Sequence, residues 1–291
     1  MRQSNFFRIV IDFVRSPTAV FAFVCLMGIV FIAVFAPLLS PQNPYDLGQL
    51  NIVDSKKPPG AIGVEGNTYW LGTDAQGRDM LSGIFYGFRV SLGIGVSSAL
   101  IALVIGGSVG LCAAYFGGIF DRIIMRIVDM QLSMPTVLVA LVIVAVLGKG
   151  VDKIVLALVI VQWAYYARTV RGSALAEKER EYVEAAACLS LSNFRIMFSE
   201  ILPNCLAPLI VVVTIQTAHA IALEASLSFL GVGLPINEPS LGLLIANGFR
   251  HLLNGKYWIS MYPGFALLII IFSINLVADR LRDVLNPRLA R

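Results

Sequence analysis

The chain has 291 residues, 57% of them hydrophobic and only 14% charged, with a formal net charge of +4. Soluble domains carry about a quarter charged residues, so this composition excludes an ordinary water-soluble globule and indicates an all-α integral membrane protein. The positive excess is small and dispersed, with no Lys/Arg block and no aromatic–basic interleaving, which argues against a nucleic-acid partner.

Residues 1–17 form a short N-terminal segment whose stretch 4–15 is amphipathic, with Arg8 and Arg15 on the polar side, and is expected to lie along the inner membrane surface. Pro17 opens a first apolar span over 18–39, longer than a signal-peptide core and therefore read as a retained anchor. A connector over 40–89 is rich in Pro, Asn, Asp and Gly, and contains Trp70-Leu71-Gly72-Thr73-Asp74-Ala75-Gln76-Gly77-Arg78-Asp79. Thr73 or Asp74 is expected to cap a short helix there, and Trp70 to anchor at the interface. The transmembrane core then runs over 90–291.

Its first span, about 90–116, repeats Ser98, Ala102, Gly106, Gly110 and Ala114, a smooth face that lets another helix approach closely. Gly117-Gly118 ends that span, and Asp121, Arg122, Arg126 and Asp129 read as a short charged connector. The third and fourth spans, about 131–148 and 154–170, are joined by a tight turn from Gly148 to Lys153. The fifth is about 206–230 and the sixth about 259–278, which makes six transmembrane helices. If the N-terminus is inside, 14 Lys and Arg lie in inner segments and 8 in outer ones, favouring an N-in/C-in orientation.

Between the fourth and fifth spans, residues 171–205 make a polar island that cannot lie in hydrocarbon. Glu184-Ala185-Ala186-Ala187 is strong helix-forming sequence. Ser190-Leu191-Ser192-Asn193 breaks it, with Ser192 the expected N-cap of a second helix that Pro203 and Pro208 interrupt. The expected shape is a helix–turn–helix on the inner face, suited to gripping something soluble.

This island resembles the EAA loop of bacterial ABC importer permeases. Glu184, Ala185 and Ala186 match its opening and Ile201-Leu202-Pro203 its close, while Ser190 stands where the family places Gly. If the backbone at Ser190 is left-handed, Ser costs about 1 kcal/mol more than Gly. The stretch from Trp70 to Asp79 is similar to the WLGTD-x-x-GRD element of dipeptide, oligopeptide and nickel importer permeases of the DppC/OppC type. The endings Asp279-Arg280-Leu281-Arg282-Asp283 and Asn286-Pro287-Arg288 also resemble that family.

The resemblance implies a type I ABC importer permease fold in the bacterial inner membrane. It implies a second, homologous permease subunit, two cytoplasmic ATPase subunits and a periplasmic substrate-binding protein, with the lipid bilayer around them. The activity implied is ATP-driven import of di- or oligopeptides, or alternatively of nickel chelates, opines or other peptide-like conjugates. The coupling residues would be Glu184, Ala185, Ala186, Ser190, Leu202 and Pro203. Family members often carry Pro-Ser-Trp-Gly where this chain has Pro239-Ser240-Leu241-Gly242, a place where a binding protein would dock.

No site for chemistry is expected on this chain. There is no Walker A sequence, no G-x-S-x-G and no H-E-x-x-H, so catalytic, metal and cofactor residues are expected to be none, with ATP and magnesium on partner subunits. Cys25, Cys112, Cys188 and Cys205 form no C-x-x-C pair and read as small apolar fillers. Glu224, at membrane depth, is a candidate for the pathway or gate; the alternative is a place near the outer interface, paired with a helix N-terminus or an Arg. Gln216 and His219 share a face and are candidates to line the path, but His219 lies roughly 140° from Glu224 around the helix, which argues against a proton relay. An ion-driven secondary transporter is the competing class, and no internal repeat supports it.

Overall fold

The computed structural model describes residues 10–46, 48, 50–235 and 238–285. The expectations for residues 4–9 and for Asn286-Pro287-Arg288 lie outside the described residues; residues 10–14 are helical.

Helix α1 spans Pro17–Val34, with Ser16 as N-cap and Pro17 at the first helical position, where its missing N–H costs nothing. Helix α2, Met80–Phe116, is 37 residues long and so about 55 Å, well beyond the ~30 Å of hydrocarbon. The helix therefore begins some ten residues ahead of the expected span and projects from one end of the molecule. Helix α3 spans Gly118–Ser133, α4 Thr136–Leu147 and α5 Val151–Lys178. A hairpin follows, with α6 at Glu181–Cys188 and a second helical stretch from Asn193 that runs into α7, Leu206–Phe229. Helix α8, Leu241–Phe249, is short, and α9, Trp258–Leu285, closes the described fold.

Five helices or helical stretches are long and apolar enough to cross a membrane, and six if α3 and α4 make one bent span. The bent pair differs from the reading of 121–129 as a charged connector. At 100° per residue Asp121, Arg122, Arg126 and Asp129 fall within roughly 140° of each other, so a helix gathers them on one side. Val128, at the edge of that arc and about 20° from Asp121, is buried against Ala164 and Ala167 of α5. Two of the charges are neutralised by α5: Arg171 Nε and Nη2 reach the two carboxylate oxygens of Asp121 at 2.5 and 2.6 Å, and Arg168 pairs with Asp129. The chain turns by 94° between α3 and α4, at Met134-Pro135, where proline cannot continue a helical hydrogen-bond ladder.

The α2–α5 seam holds the centre. A Cβ on Gly106 would stand 2.9 Å from the carbonyl carbon of Trp163, and one on Gly110 2.8 Å from Cα of Ala167. Without side chains there, the two backbones touch, and close packing rather than hydrophobic expulsion binds helices within lipid. Ser98, Ala102 and Ala114 are buried on the same helix.

The described residues between 35 and 79 cap the projecting end of α2. A two-stranded antiparallel sheet, β1 (Ala61–Ile62) and β2 (Thr68–Tyr69), sits beside the buried Asp54. Asp54 takes an ion pair from Lys57 at 2.6 Å and a hydrogen bond from the Tyr69 hydroxyl at 3.0 Å. The N-cap of α2 is Asp79, whose Oδ2 accepts from the Ser82 N–H at 2.8 Å and the Ser82 hydroxyl at 2.6 Å. Thr73 and Asp74 do not cap it. Their side chains fold the loop instead: the Thr73 hydroxyl donates to Asp54 O at 2.6 Å, and Asp74 Oδ1 accepts from the N–H groups of Gln76 and Arg78 at 2.8 and 2.9 Å. Trp258 Nε1 donates to Thr73 O, tying the cap to α9, while Trp70 is exposed.

Candidate functional site

The polar hairpin stands at the end of the molecule opposite the cap. Helix α6 buries Val183 and Ala186 in the cluster that also holds Leu111, Ala114, Val170, Ala174, Ile196, Met197 and Ile201. The three-residue spacing of Val183 and Ala186 puts them on one face, and the same geometry turns Glu184, Ala185, Ala187 and Cys188 outward. Cys188 is thus an exposed residue rather than a filler, while Cys205 is buried.

Helix α6 ends in a Schellman arrangement: the Leu191 N–H donates to Ala186 O at 3.3 Å and the Ser190 N–H to Ala187 O at 2.9 Å. That turn needs a left-handed residue, and Ser190 supplies it at φ 54°. Ser192 then caps the second helical stretch, its hydroxyl accepting from the Arg195 N–H.

Beyond it the ladder widens to a π-helix over Ile196–Ile201 and tightens to a 3-10 turn over Leu202–Cys205. Pro203 has no N–H and its ring crowds the carbonyl of Ser199, so the register slips by one residue. Leu202 is half-buried against the same cluster and Pro203 is exposed.

Side chains fasten the hairpin to the spans. The Tyr182 hydroxyl donates to Glu177 Oε2 at 2.8 Å and accepts from Asn204 Nδ2 at 3.0 Å. Lys178 Nζ donates to Tyr115 O at 2.6 Å and stands 5.6 Å from the centre of the Tyr115 ring, whose hydroxyl donates to Asn193 at 2.9 Å. The two helices of the hairpin are therefore braced against α2 and α5. Tyr115, Asn193 and Asn204 carry no sequence signal for this role; only the fold brings them together.

The three candidates on α7 are not brought together. His219 is exposed on this chain, whereas Gln216 and Glu224 turn inward. Gln216 lies against Gln162, whose Nε2 donates to Gln216 O at 2.9 Å. Glu224 is fully buried and receives hydrogen bonds from Ser228 at 2.7 Å and Ser91 at 3.1 Å. Among the described residues no group of acidic, His or Cys side chains is placed to hold a metal ion.

Residues 102–291 match the family model described as binding-protein-dependent transport system inner membrane component. The chain belongs to this family. It is an ABC importer permease, a multi-pass membrane subunit and not itself the catalytic one. Residues 4–59 match a second model, the N-terminal TM domain of oligopeptide transport permease C, in keeping with the DppC/OppC resemblance.

Relatives of this permease include a putative peptide transport system permease protein of Brucella suis, 39% identical over 91% of this chain and 86% of the relative. The dipeptide transport system permease protein DppC of Haemophilus influenzae is 35% identical, covering 95% of this chain and 92% of that one. The glutathione transport system permease protein GsiD of Pectobacterium atrosepticum is 34% identical over 95% of this chain and 89% of its own. The permease fold also matches an inward-facing structure of the MetNI methionine ABC transporter, with a TM-score of 0.57 at 20% identity over 71% of this chain and 98% of that one.

Proposed function

We propose that this chain is a permease subunit that moves di- or oligopeptides from the periplasm to the cytoplasm through the bacterial inner membrane. It pairs with a second, homologous permease, two cytoplasmic ATPase subunits and a periplasmic substrate-binding protein. ATP and magnesium bind on the ATPase subunits, and this chain carries no cofactor of its own. What supports the reading most is the seating of α6: Val183 and Ala186 are held in the span cluster while Glu184 and Ala185 face outward.

In this mechanism ATP binding draws the two ATPase subunits together, and the α6 helices of the two permeases move with them. Bracing through Tyr182, Lys178 and Tyr115 turns that motion into a swing of α2, α5 and α7 between inward- and outward-facing arrangements. Glu184, Ala185 and Ala186 contact or seat the coupling helix, Ser190 turns it, and Leu202 with Pro203 closes the hairpin against the membrane. Gln216, His219 and Glu224 belong to the helix that lines or gates the path. The glutathione permease among the relatives supports a second substrate reading, a peptide-like conjugate.

Reversing the charge at Glu184 tests coupling. Glu184→Lys leaves membrane insertion and recovery of the complex intact and abolishes ATP-dependent peptide uptake in reconstituted vesicles. Uptake at the parent rate in that variant removes Glu184 from the coupling surface.

A further inference from the structure

Glu224 sits in a junction of three elements with no cation beside it among the described residues. Its carboxylate receives the hydroxyls of Ser91 on α2 and Ser228 on α7, at 3.1 and 2.7 Å. Ser91 and the N-cap Ser240 accept from the first turn of α8. The Leu241 N–H donates to Ser91 Oγ at 3.4 Å, and the Leu243 N–H donates to the N-cap Ser240 Oγ at 3.2 Å. Ser91 is thus a relay: it takes an orphan amide of α8 with its oxygen and gives its proton to the carboxylate. The carboxyl group lies beside the N-terminal turn of α8.

The packing around this junction leaves no freedom to slide. A Cβ on Gly242 would stand 2.8 Å from the Ala225 carbonyl oxygen, and one on Gly87 2.9 Å from Cδ2 of Leu241. Helix α8 therefore touches α7 and α2 at backbone distance, and Gly248 brings its far end equally close to Ile259 and Ser260 of α9. Phe249 and Leu253, just beyond, are exposed at the cap end.

We propose that Glu224 is a positioning residue that fastens α8 to α2 and α7, so that the surface offered to the delivering protein moves with α7 as one body. This rests on the transporter reading above and deepens it: contact outside would be felt on the same helix that leads to the coupling hairpin. Both carboxyl oxygens accept a serine hydroxyl, whereas glutamine in this place offers one acceptor oxygen and puts an N–H₂ where the second oxygen accepts.

The test uses the full transporter in nanodiscs. In Glu224→Gln, and separately in Ser91→Ala, amide hydrogen exchange over 241–249 should accelerate about tenfold, while exchange over 61–69 and over α6 stays at the parent rate. In Ser91→Ala the concentration of delivering protein that half-saturates stimulated ATP hydrolysis should rise severalfold, with the rate at saturation unchanged. A role in general stability would instead raise exchange in all three regions. The double variant should show no more acceleration than either single one, because all three break the same relay. If Glu224→Gln does not assemble, Ser91→Ala carries the measurement alone. Parent-rate exchange over 241–249 in Ser91→Ala, or equal acceleration everywhere, overturns the proposal. Failure of the parent chain to recover ATPase subunits refutes the transporter reading, and the exchange result on α8 still decides this one.

Discussion

Three neighbouring glycines on α2 should answer to one added methyl group with opposite signs. A Cβ on Gly110 meets Cα of Ala167 at 2.8 Å and its carbonyl carbon at 2.9 Å, and one on Gly106 meets the Trp163 carbonyl carbon at 2.9 Å. Ordinary carbon–carbon contact is about 3.5–4.0 Å, so Gly110→Ala must part α2 and α5 by roughly 1 Å. Both obstacles are backbone, which no rotamer change relieves. Overpacking of this kind costs about 1–3 kcal/mol, set against the ~1 kcal/mol that Ala gains over Gly inside a helix. Gly107 lies one residue from Gly106, but its Cβ would meet only a Val170 methyl at 3.7 Å, an ordinary contact. Gly107→Ala therefore keeps the propensity gain without the clash. In detergent, thermal unfolding of the complex should shift down by a few degrees for Gly106→Ala and Gly110→Ala, and up by about 2–4 °C for Gly107→Ala, at roughly 2–4 °C per kcal/mol. The same direction of shift at Gly107 and Gly110 would refute a backbone-contact seam.

Two further outcomes follow from named contacts. Ser190→Gly should stabilise the hairpin by about 0.5–1 kcal/mol, because Ser190 holds φ 54° without glycine's freedom, read as slower amide exchange over α6. Burial of Asp54 works against its charge, but Lys57, the Val64 N–H and the Tyr69 hydroxyl outweigh it and hold the carboxyl below the usual carboxylate range. A lowered folded value means this stabilisation is complete above about pH 4, the ordinary carboxylate value, and is lost as pH falls through the lowered one. Asp54→Asn should abolish that acid transition, measured as amide exchange over 61–69 against pH. The Tyr69 phenol, pushed up to about 12 by burial and by Asp54, stays protonated as a donor throughout that range.

Much of the site was legible because its signals are local. Glu184 to Ala186 is helix-forming, Ser192 caps, and Pro203 breaks, each within a turn of where it acts. The left-handed Ser190 followed from the family's glycine at that place. The α3 helix was misread because four charges in nine residues look like a connector until Arg168 and Arg171, some 40 to 50 residues away in the chain, are seen to neutralise two of them. The cap of α2 passed from Thr73 or Asp74 to Asp79 for a related reason: Thr73 is spent on Asp54 O, and that contact spans 19 residues.

By itself the sequence determined that this is a helical membrane protein with a polar hairpin at one end, because apolar length and charge placement act residue by residue against the bilayer. Only the tertiary structure decided which side of α7 faces inward, that Glu224 meets Ser91 from a segment 133 residues away, and that the third span is broken. Those outcomes depend on which helices touch, and in lipid that choice rests on backbone proximity at a few glycines and on pairings across more than a hundred residues.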